Sequence, residues 1–427
     1  MSEKKEYAKK LLNYLDNAPT PYQSTDELEK ILLASGATEL SDGDEWKIEK
    51  GKTYYIKKEG TQVSSFRICG DPKKDGFRIG GAHHDAPGFR IKTIPSAVSL
   101  GYERLEFEAY GGLIVHGWLD RPLSLAGCVY IKDEEKGFRP VNINIKKPLI
   151  VIPSAAIHVK KDVNSGAKFS IQKEMCPFFA QSEDGKTSFT KYIADYIGVE
   201  ESDILSMDIA PYDSEPGCFV GANDEFISVP RLDDCAMAHA IISAVAGSND
   251  SSENTIAVIY DHEEIGSGSD RGARGNVLMK LVDRICDSLG YGTEDKYRAL
   301  SNSIAFSADM AHATHPSYKE LQDPLLTVKL GGGPVLKLAC GQSYSTSVRG
   351  TAFFKSLCEK NNIPYQQFNN NSDQKGGGTI GPILSAECGI CSVDVGNPML
   401  SMHSVREFGG TDDGYYMEKL FEAFFRG

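Results

Sequence analysis

The run "IAVIYDHEEIGSG", residues 256 to 268, leads an apolar stretch straight into Asp261, His262, Glu263 and Glu264, then into glycines. An apolar run of this kind reads as a buried strand, and carboxylates are costly to bring near a buried core unless something compensates them. Four other places repeat the layout of an apolar strand ending in Asp, Glu or His: "GFRIGGAHHDAPG", "ISVPRLDD", "SIAFSADMAHATHP" and "GNPMLSMHSVRE". Open α/β sheets gather ligands at the carboxyl ends of their strands, so five such ends can converge on one crevice from distant parts of the chain. Two histidines with three or more carboxylates suit a pair of divalent metals bridged by a carboxylate. Singly, each piece has an ordinary explanation: a strand-end Asp is usually a turn or cap residue, and a lone His is usually structural. Together they favour a metal site, because burying that many acids without a cation is expensive.

The elements that must position these residues come next. At 427 residues the chain exceeds what one hydrophobic core organises, which predicts two domains or one domain with a large insert. Two helices open it, with Tyr7, Leu11 and Leu15 on one face of the first, and Ser24 and Glu27 reading as a capping box for the second. Strand-like "TYYIKK", "VSSFRIC" and "GFRIGGAHHD" follow. From 93 to 230 short β-rich runs ("ERLEFEAY", "LIVHGWL", "CVYIK", "VNINI") are broken by Gly and Pro, with a polar stretch near 181 to 190. From 231 strands and helices alternate to the closing helix "YYMEKLFEAFF". The expected architecture is α/β, a mixed sheet flanked by helices in residues 1–92 and 231–427, interrupted by a mostly β insert at 93–230.

Composition excludes several classes. A net charge of −13 supplies no basic face for nucleic acid. No run of about 18 apolar residues predicts a membrane span, and "MSEKKEYAKKLLNYL" lacks the apolar core of a signal peptide. Ten cysteines are scattered except for Cys388 and Cys391, whose CxxC has no second pair and reads as buried thiols. A reduced, cytoplasmic protein is the expectation.

"GAHHDAPGFRIK", "YGGLIVHGWLDRPLSLAG", "VPRLDD", "YDHEEIGS", "SADMAHATHP", "GPVLK", "TIGPI" and "SMHSVRE" together resemble the aspartyl aminopeptidase family of di-zinc exopeptidases, in that family's order and over nearly the whole chain. The resemblance implies a di-zinc exopeptidase-like catalytic domain with an inserted dimerisation domain. It implies that His83 and Asp309 bind one metal, Glu264 and His403 the other, and Asp233 bridges both. Asp85 would orient His83 from behind, and Glu263 would act as general base on the water between the ions. The metals would be two divalent ions per subunit, zinc by the resemblance, although a carboxylate-rich site also accepts manganese or cobalt. The resemblance also implies substrate contacts from Lys337 and Tyr344, and from His158 reaching into a neighbouring subunit. It further implies peptide substrates with a free N-terminus, a preference for Asp or Glu, and dimers assembled into a tetrahedral dodecamer. The sequence departs from the family pattern at His84, where a Thr-like residue is usual and no role is implied, at Ala86, at Asp234 and at Gly376–Gly378. Competing readings are an aminopeptidase preferring neutral residues such as Leu, a related metal-dependent deacylase or carboxypeptidase, and a non-catalytic scaffold. The scaffold would lack a ligand or the base, and all six positions here carry competent residues.

Overall fold

The structure is a computed structural model and describes residues 2–166, 168–182, 188–374 and 376–427; of the polar stretch near 181 to 190, residues 183–187 lie outside the described ones. The chain forms two compact units, one of Met1–Asp85, Gly217–Met402 and Glu407–Gly427, the other of Ala86–Pro216 with His403–Arg406.

The first unit is built on a nine-stranded mixed sheet. Its order is Thr38–Glu39, Thr53–Lys58, Gln62–Arg67, Thr255–Tyr260, Arg78–His83, Ile304–Ala308, Cys391–Gly396, Val335–Leu338 and Gln366–Asn369. The strand Thr255–Tyr260 is buried throughout, and its side chains alternate between two cores. Ile256, Val258 and Tyr260 join one cluster, and Ala257 and Ile259 the other. This is the period-two signature of a strand covered on both faces. One core takes in the helices Glu3–Asn17, Pro21–Ala34, Leu232–Ala246, Val348–Lys360 and Asp413–Arg426; the other takes in Val277–Ser288, Thr293–Asn302 and Gly381–Cys388. The expected mixed sheet flanked by helices is therefore borne out. Thr255–Tyr260, Arg78–His83, Ile304–Ala308 and Cys391–Gly396 run parallel, so their carboxyl ends share one edge.

A second, five-stranded sheet of this unit pairs Cys218–Val220, Phe226–Val229, Glu407–Gly410, Pro398–Leu400 and Ala311–His312. It accounts for the second unit ending at Pro216 rather than at the expected 230; the unit also starts earlier than expected, at Ala86, and takes in His403–Arg406. Residues 217–230 are held by hydrogen bonds to Glu407–Gly410, a long-range pairing that composition does not reveal. The second unit holds two antiparallel three-stranded sheets, Gly88–Ser99 with Tyr102–Tyr110 and Phe178–Gln181, and Ile204–Asp213 with Leu123–Asp133 and Gly137–Asn144. Its core includes Phe89, Phe107, Trp118, Leu125 and Val129.

Two local expectations are corrected. "LIVHGWL" is not a strand: Val115–Trp118 is a 3₁₀ turn that buries Trp118 edge-on against Phe89 at 5.2 Å. Ser24 and Glu27 are not a capping box. The helix starts earlier, at Pro21 with Thr20 as N-cap, because proline at the first helical position needs no hydrogen-bond partner for its nitrogen. Ser24 thus lies inside the helix, fully buried. All ten cysteines are free thiols, and no described helix is long and apolar enough to cross a membrane.

Candidate metal centre

His83 closes its strand and is 1 % exposed. Its Nδ1 lies 3.1 Å from the carbonyl oxygen of Asp85 and 3.4 Å from Asp85 Oδ1. Nδ1–H therefore donates to Asp85, which leaves Nε2 as the ligand nitrogen. Nε2 faces Asp233 Oδ1 at 3.7 Å and Glu263 Oε2 at 4.0 Å. The His83 backbone N–H donates to Asp234 Oδ2 at 3.2 Å.

Asp233 and Asp234 share a cis peptide and depart from helical backbone at the head of Leu232–Ala246. The Asp233 amide donates to Glu407 Oε2 at 3.0 Å. Glu407 closes the "SMHSVRE" motif but was given no role by the sequence; its burial beside Asp233 is a property of the fold, and no spacing signals it. Asp309 follows the strand Ile304–Ala308, its amide bonded to the Val395 carbonyl at 2.9 Å. Gly396 lets the two strand ends close up there, since a Cβ on it would lie 1.8 Å from Asp309 O.

Strand alternation leads one to expect Glu263 and Glu264 to point opposite ways. The strand, however, ends at Tyr260; His262 turns with φ +64°, and Glu263–Ile265 form one turn of 3₁₀ helix. Successive side chains are then about 120° apart, and both carboxylates reach the neighbourhood of His83. The turn is clamped by one side chain: Asp85 Oδ1 accepts from Glu263 N and Oδ2 from Glu264 N, each at 3.1 Å. Asp85 thus orients the imidazole largely through its carbonyl and the glutamate turn through its carboxylate.

Among the described residues of the first unit, the result is two overlapping donor groups. Ligand atoms of His83, Asp233 and Asp309 lie within 4.8 Å of one another, and so do those of His83, Glu263 and Glu264. Burial pushes the Glu263 carboxyl up to about 7; His83 opposes the rise, while Asp309, Asp85 and Asp233 add to it. Burial likewise raises Asp234 and Asp309, the latter against the pull of Lys337. For His83, burial works downward but is outweighed by the Asp85 hydrogen bond and the charges of Asp234, Glu263 and Asp85, which hold the imidazole well above its ordinary value. Among the described residues, Asp234 Oδ1 is buried without a hydrogen-bond partner. Imidazole nitrogen and carboxylate oxygens crowded in a poorly solvated place fit divalent cations of the zinc class, whose charge would compensate the acids.

The remaining sequence-predicted residues are placed as follows. His403 belongs to the second unit, where its Nδ1 lies 3.0 Å from Gly112 O, so Nδ1–H donates there and Nε2 is the nitrogen left for a ligand. His158, also in the second unit, is exposed on a turn rather than in a strand. Lys337 is 3 % exposed, and its Nζ donates to Asp309 Oδ1 at 3.1 Å and stands 5.5 Å from the centre of the Tyr344 ring. Tyr344 is buried against Phe368.

A family model described as "Aminopeptidase I zinc metalloprotease (M18)" matches residues 14–425. A "Probable M18 family aminopeptidase 2" of Clostridium novyi (strain NT) is 40% identical over 431 residues, covering 100% of both chains. One of the same name from Stutzerimonas stutzeri (strain A1501) is 35% identical and covers 97% of each. Among solved structures, a chain in the cryo-EM structure of the Ape4 and Nbr1 complex superposes with a TM-score of 0.95 at 33% identity, covering 99% of this chain and 86% of that one. The S. cerevisiae mApe1 dodecamer gives 0.86 at 26% identity, covering 99% and 96%.

Proposed function

The chain belongs to the M18 family of zinc metallo-aminopeptidases, and from that premise we propose that it removes N-terminal residues from peptides using two divalent ions and Glu263 as general base. His83 and Asp309 would hold one ion, Glu264 and His403 the other, and Asp233 would bridge them. The observation that carries this reading is the group of His83, Asp233 and Asp309, whose ligand atoms all lie within 4.8 Å of one another. Bound divalent ions supply Lewis acidity at the scissile carbonyl and lower the pKa of water there.

The protein's own groups do the rest. The Glu263 carboxylate faces His83 Nε2 at 4.0 Å, beside the groups that would hold the ions, where it can take a proton from water and return it to the departing amine, which is what a general base in peptide hydrolysis must do. Asp85 holds the turn that carries this base. Asp234 and Glu407 fix the backbones of His83 and Asp233. A peptide with a blocked N-terminus separates the activities: an aminopeptidase loses the substrate on acetylation, whereas a deacylase or carboxypeptidase does not.

The resemblance to aspartyl aminopeptidases supports a preference for N-terminal Asp or Glu, read by Lys337 with Tyr344 beside it. A lysine has three donors, and Asp309 takes one, so Lys337 can still meet a substrate carboxylate. The same contact supports the second reading, a preference for neutral residues such as Leu, because Asp309 already balances the ammonium. Equal cleavage of Asp- and Leu-terminated peptides would decide against the acidic preference. We also propose a dimer-based tetrahedral dodecamer, supported by the dodecameric yeast neighbour. The insert expected at 93–230, which falls largely in the unit of Ala86–Pro216 with His403–Arg406, would be its dimerisation domain, and His158 would reach a neighbouring subunit. A cytoplasmic location completes the reading.

A further inference from the structure

His84 is a second histidine beside the metal-facing His83, and neither the resemblance nor the chemistry above gives it a role. It is 1 % exposed and lies just past the end of the strand Arg78–His83, with its ring on Ser24 and Thr61 rather than on the acids that His83 faces. There every polar atom of the residue is engaged. Its amide donates to the Tyr260 carbonyl at 3.1 Å, and its carbonyl accepts from Cys235 Sγ at 3.5 Å. Its Nε2 lies 2.6 Å from the Thr61 carbonyl oxygen, and its Nδ1 lies 2.9 Å from Ser24 Oγ. Ser24 Oγ in turn lies 2.6 Å from the hydroxyl of Tyr14.

The direction of this chain follows from its ends. A carbonyl only accepts, so His84 Nε2 carries the proton and donates to Thr61. In the neutral imidazole, a proton on Nε2 leaves Nδ1 as the acceptor. Ser24 must then donate to His84 and accept from Tyr14. The run Tyr14 to Ser24 to His84 to Thr61 joins the two N-terminal helices, through the strand end, to the turn between Thr53–Lys58 and Gln62–Arg67. It explains why Ser24 is buried in mid-helix, where a serine normally competes with the backbone. Arg271 Nη1 anchors the far end on Thr61 Oγ1 at 3.0 Å.

We propose that His84 is a positioning residue, and that its hydrogen-bonded run through Ser24 and Tyr14 makes the N-terminal helices part of what holds His83 in place for the metal. The inference rests on His83 being a metal ligand. A residue pinned at two backbone and two ring atoms leaves its neighbours little freedom to turn, and His83 and Asp85 are those neighbours.

The test uses the full-length protein, stripped of metal and titrated with zinc in competition with a chromophoric chelator. His84→Ala should weaken zinc binding about 10- to 100-fold, the loss typical of groups that orient a ligand. Ser24→Ala should weaken it by a smaller factor, and Tyr14→Phe by less again. In the His84→Ala background, Ser24→Ala should add nothing, because both act along one path. Should His84→Ala fail to fold, Ser24→Ala and Tyr14→Phe decide alone. Wild-type zinc affinity in Ser24→Ala and His84→Ala, with only a lowered melting temperature, would reduce His84 to a packing role. His83→Ala, run alongside, separates the two levels. If it binds zinc like wild type, the site reading itself fails; if it alone loses zinc, only the positioning role fails.

Discussion

Stripping the metal from this protein should leave its stability unusually sensitive to pH, and the size of the effect follows from one carboxyl. Glu263 titrates at about 7 in the fold against an ordinary 4.5, chiefly because it is buried. An acid whose folded pKa is raised keeps its proton where the unfolded chain has already released it. Its contribution is therefore intact below about 4.5 and is lost as pH rises through about 7. At 1.36 kcal/mol per pH unit this amounts to about 3 kcal/mol. The side chain is 19% exposed, so solvent relieves little of it. Burial raises Asp234 and Asp309 in the same direction, which steepens the slope. Urea unfolding of metal-free wild type and metal-free Glu263→Gln at pH 5 and pH 8 reads the difference directly. The wild type should lose about 2.5 kcal/mol more than the variant between those pH values, a little of the effect being already gone at pH 5. Adding zinc should remove the loss, since binding favours ionised carboxylates. Parallel pH dependence in the two metal-free proteins would refute the reasoning.

Other outcomes follow from single contacts. Asp85→Asn keeps one acceptor but sets an amide N–H against the second glutamate N–H, so turnover should fall about 10- to 100-fold in steady-state kinetics while the fold persists by circular dichroism. Gly396→Ala forces a methyl onto Asp309 O and should destabilise the protein by about 1–3 kcal/mol, with weaker zinc binding in a chelator competition. Lys337→Ala leaves Asp309 buried without its ammonium, so metal-free stability should drop by about 3–5 kcal/mol in denaturant titrations. On the acidic-specificity reading, the same variant should also lose any preference for Asp-terminated peptides.

The strand-end pattern was legible because it depends on local sequence: apolar runs closing on His83, on Asp309 and on the 261–264 acids sit where a parallel sheet gathers its carboxyl ends. What could not be read depends on contacts between distant segments. Residues 217–230 join the first unit through pairing with Glu407–Gly410. Glu407 acquires its position only when its carboxylate meets the Asp233 amide, 174 residues away. Ser24 matched a capping pattern, but Pro21 and Thr20 moved the helix start, freeing the hydroxyl for His84. Glu263 and Glu264 were read with strand geometry, whereas a left-handed His262 and a clamp from Asp85 convert that segment to a tight turn. Lys337 was placed from its motif, and its buried partner Asp309 emerged only when the sheet set Val335–Leu338 and Ile304–Ala308 on either side of Cys391–Gly396.

The division of labour between the two adjacent glutamates is the centre of the account, and elemental analysis of zinc per chain alongside peptide turnover tests it most directly. Glu263→Gln is predicted to retain two zinc ions and no turnover, and Glu264→Gln to lose zinc. Equal loss of metal in both variants, or a working Glu263→Gln enzyme, would contradict it.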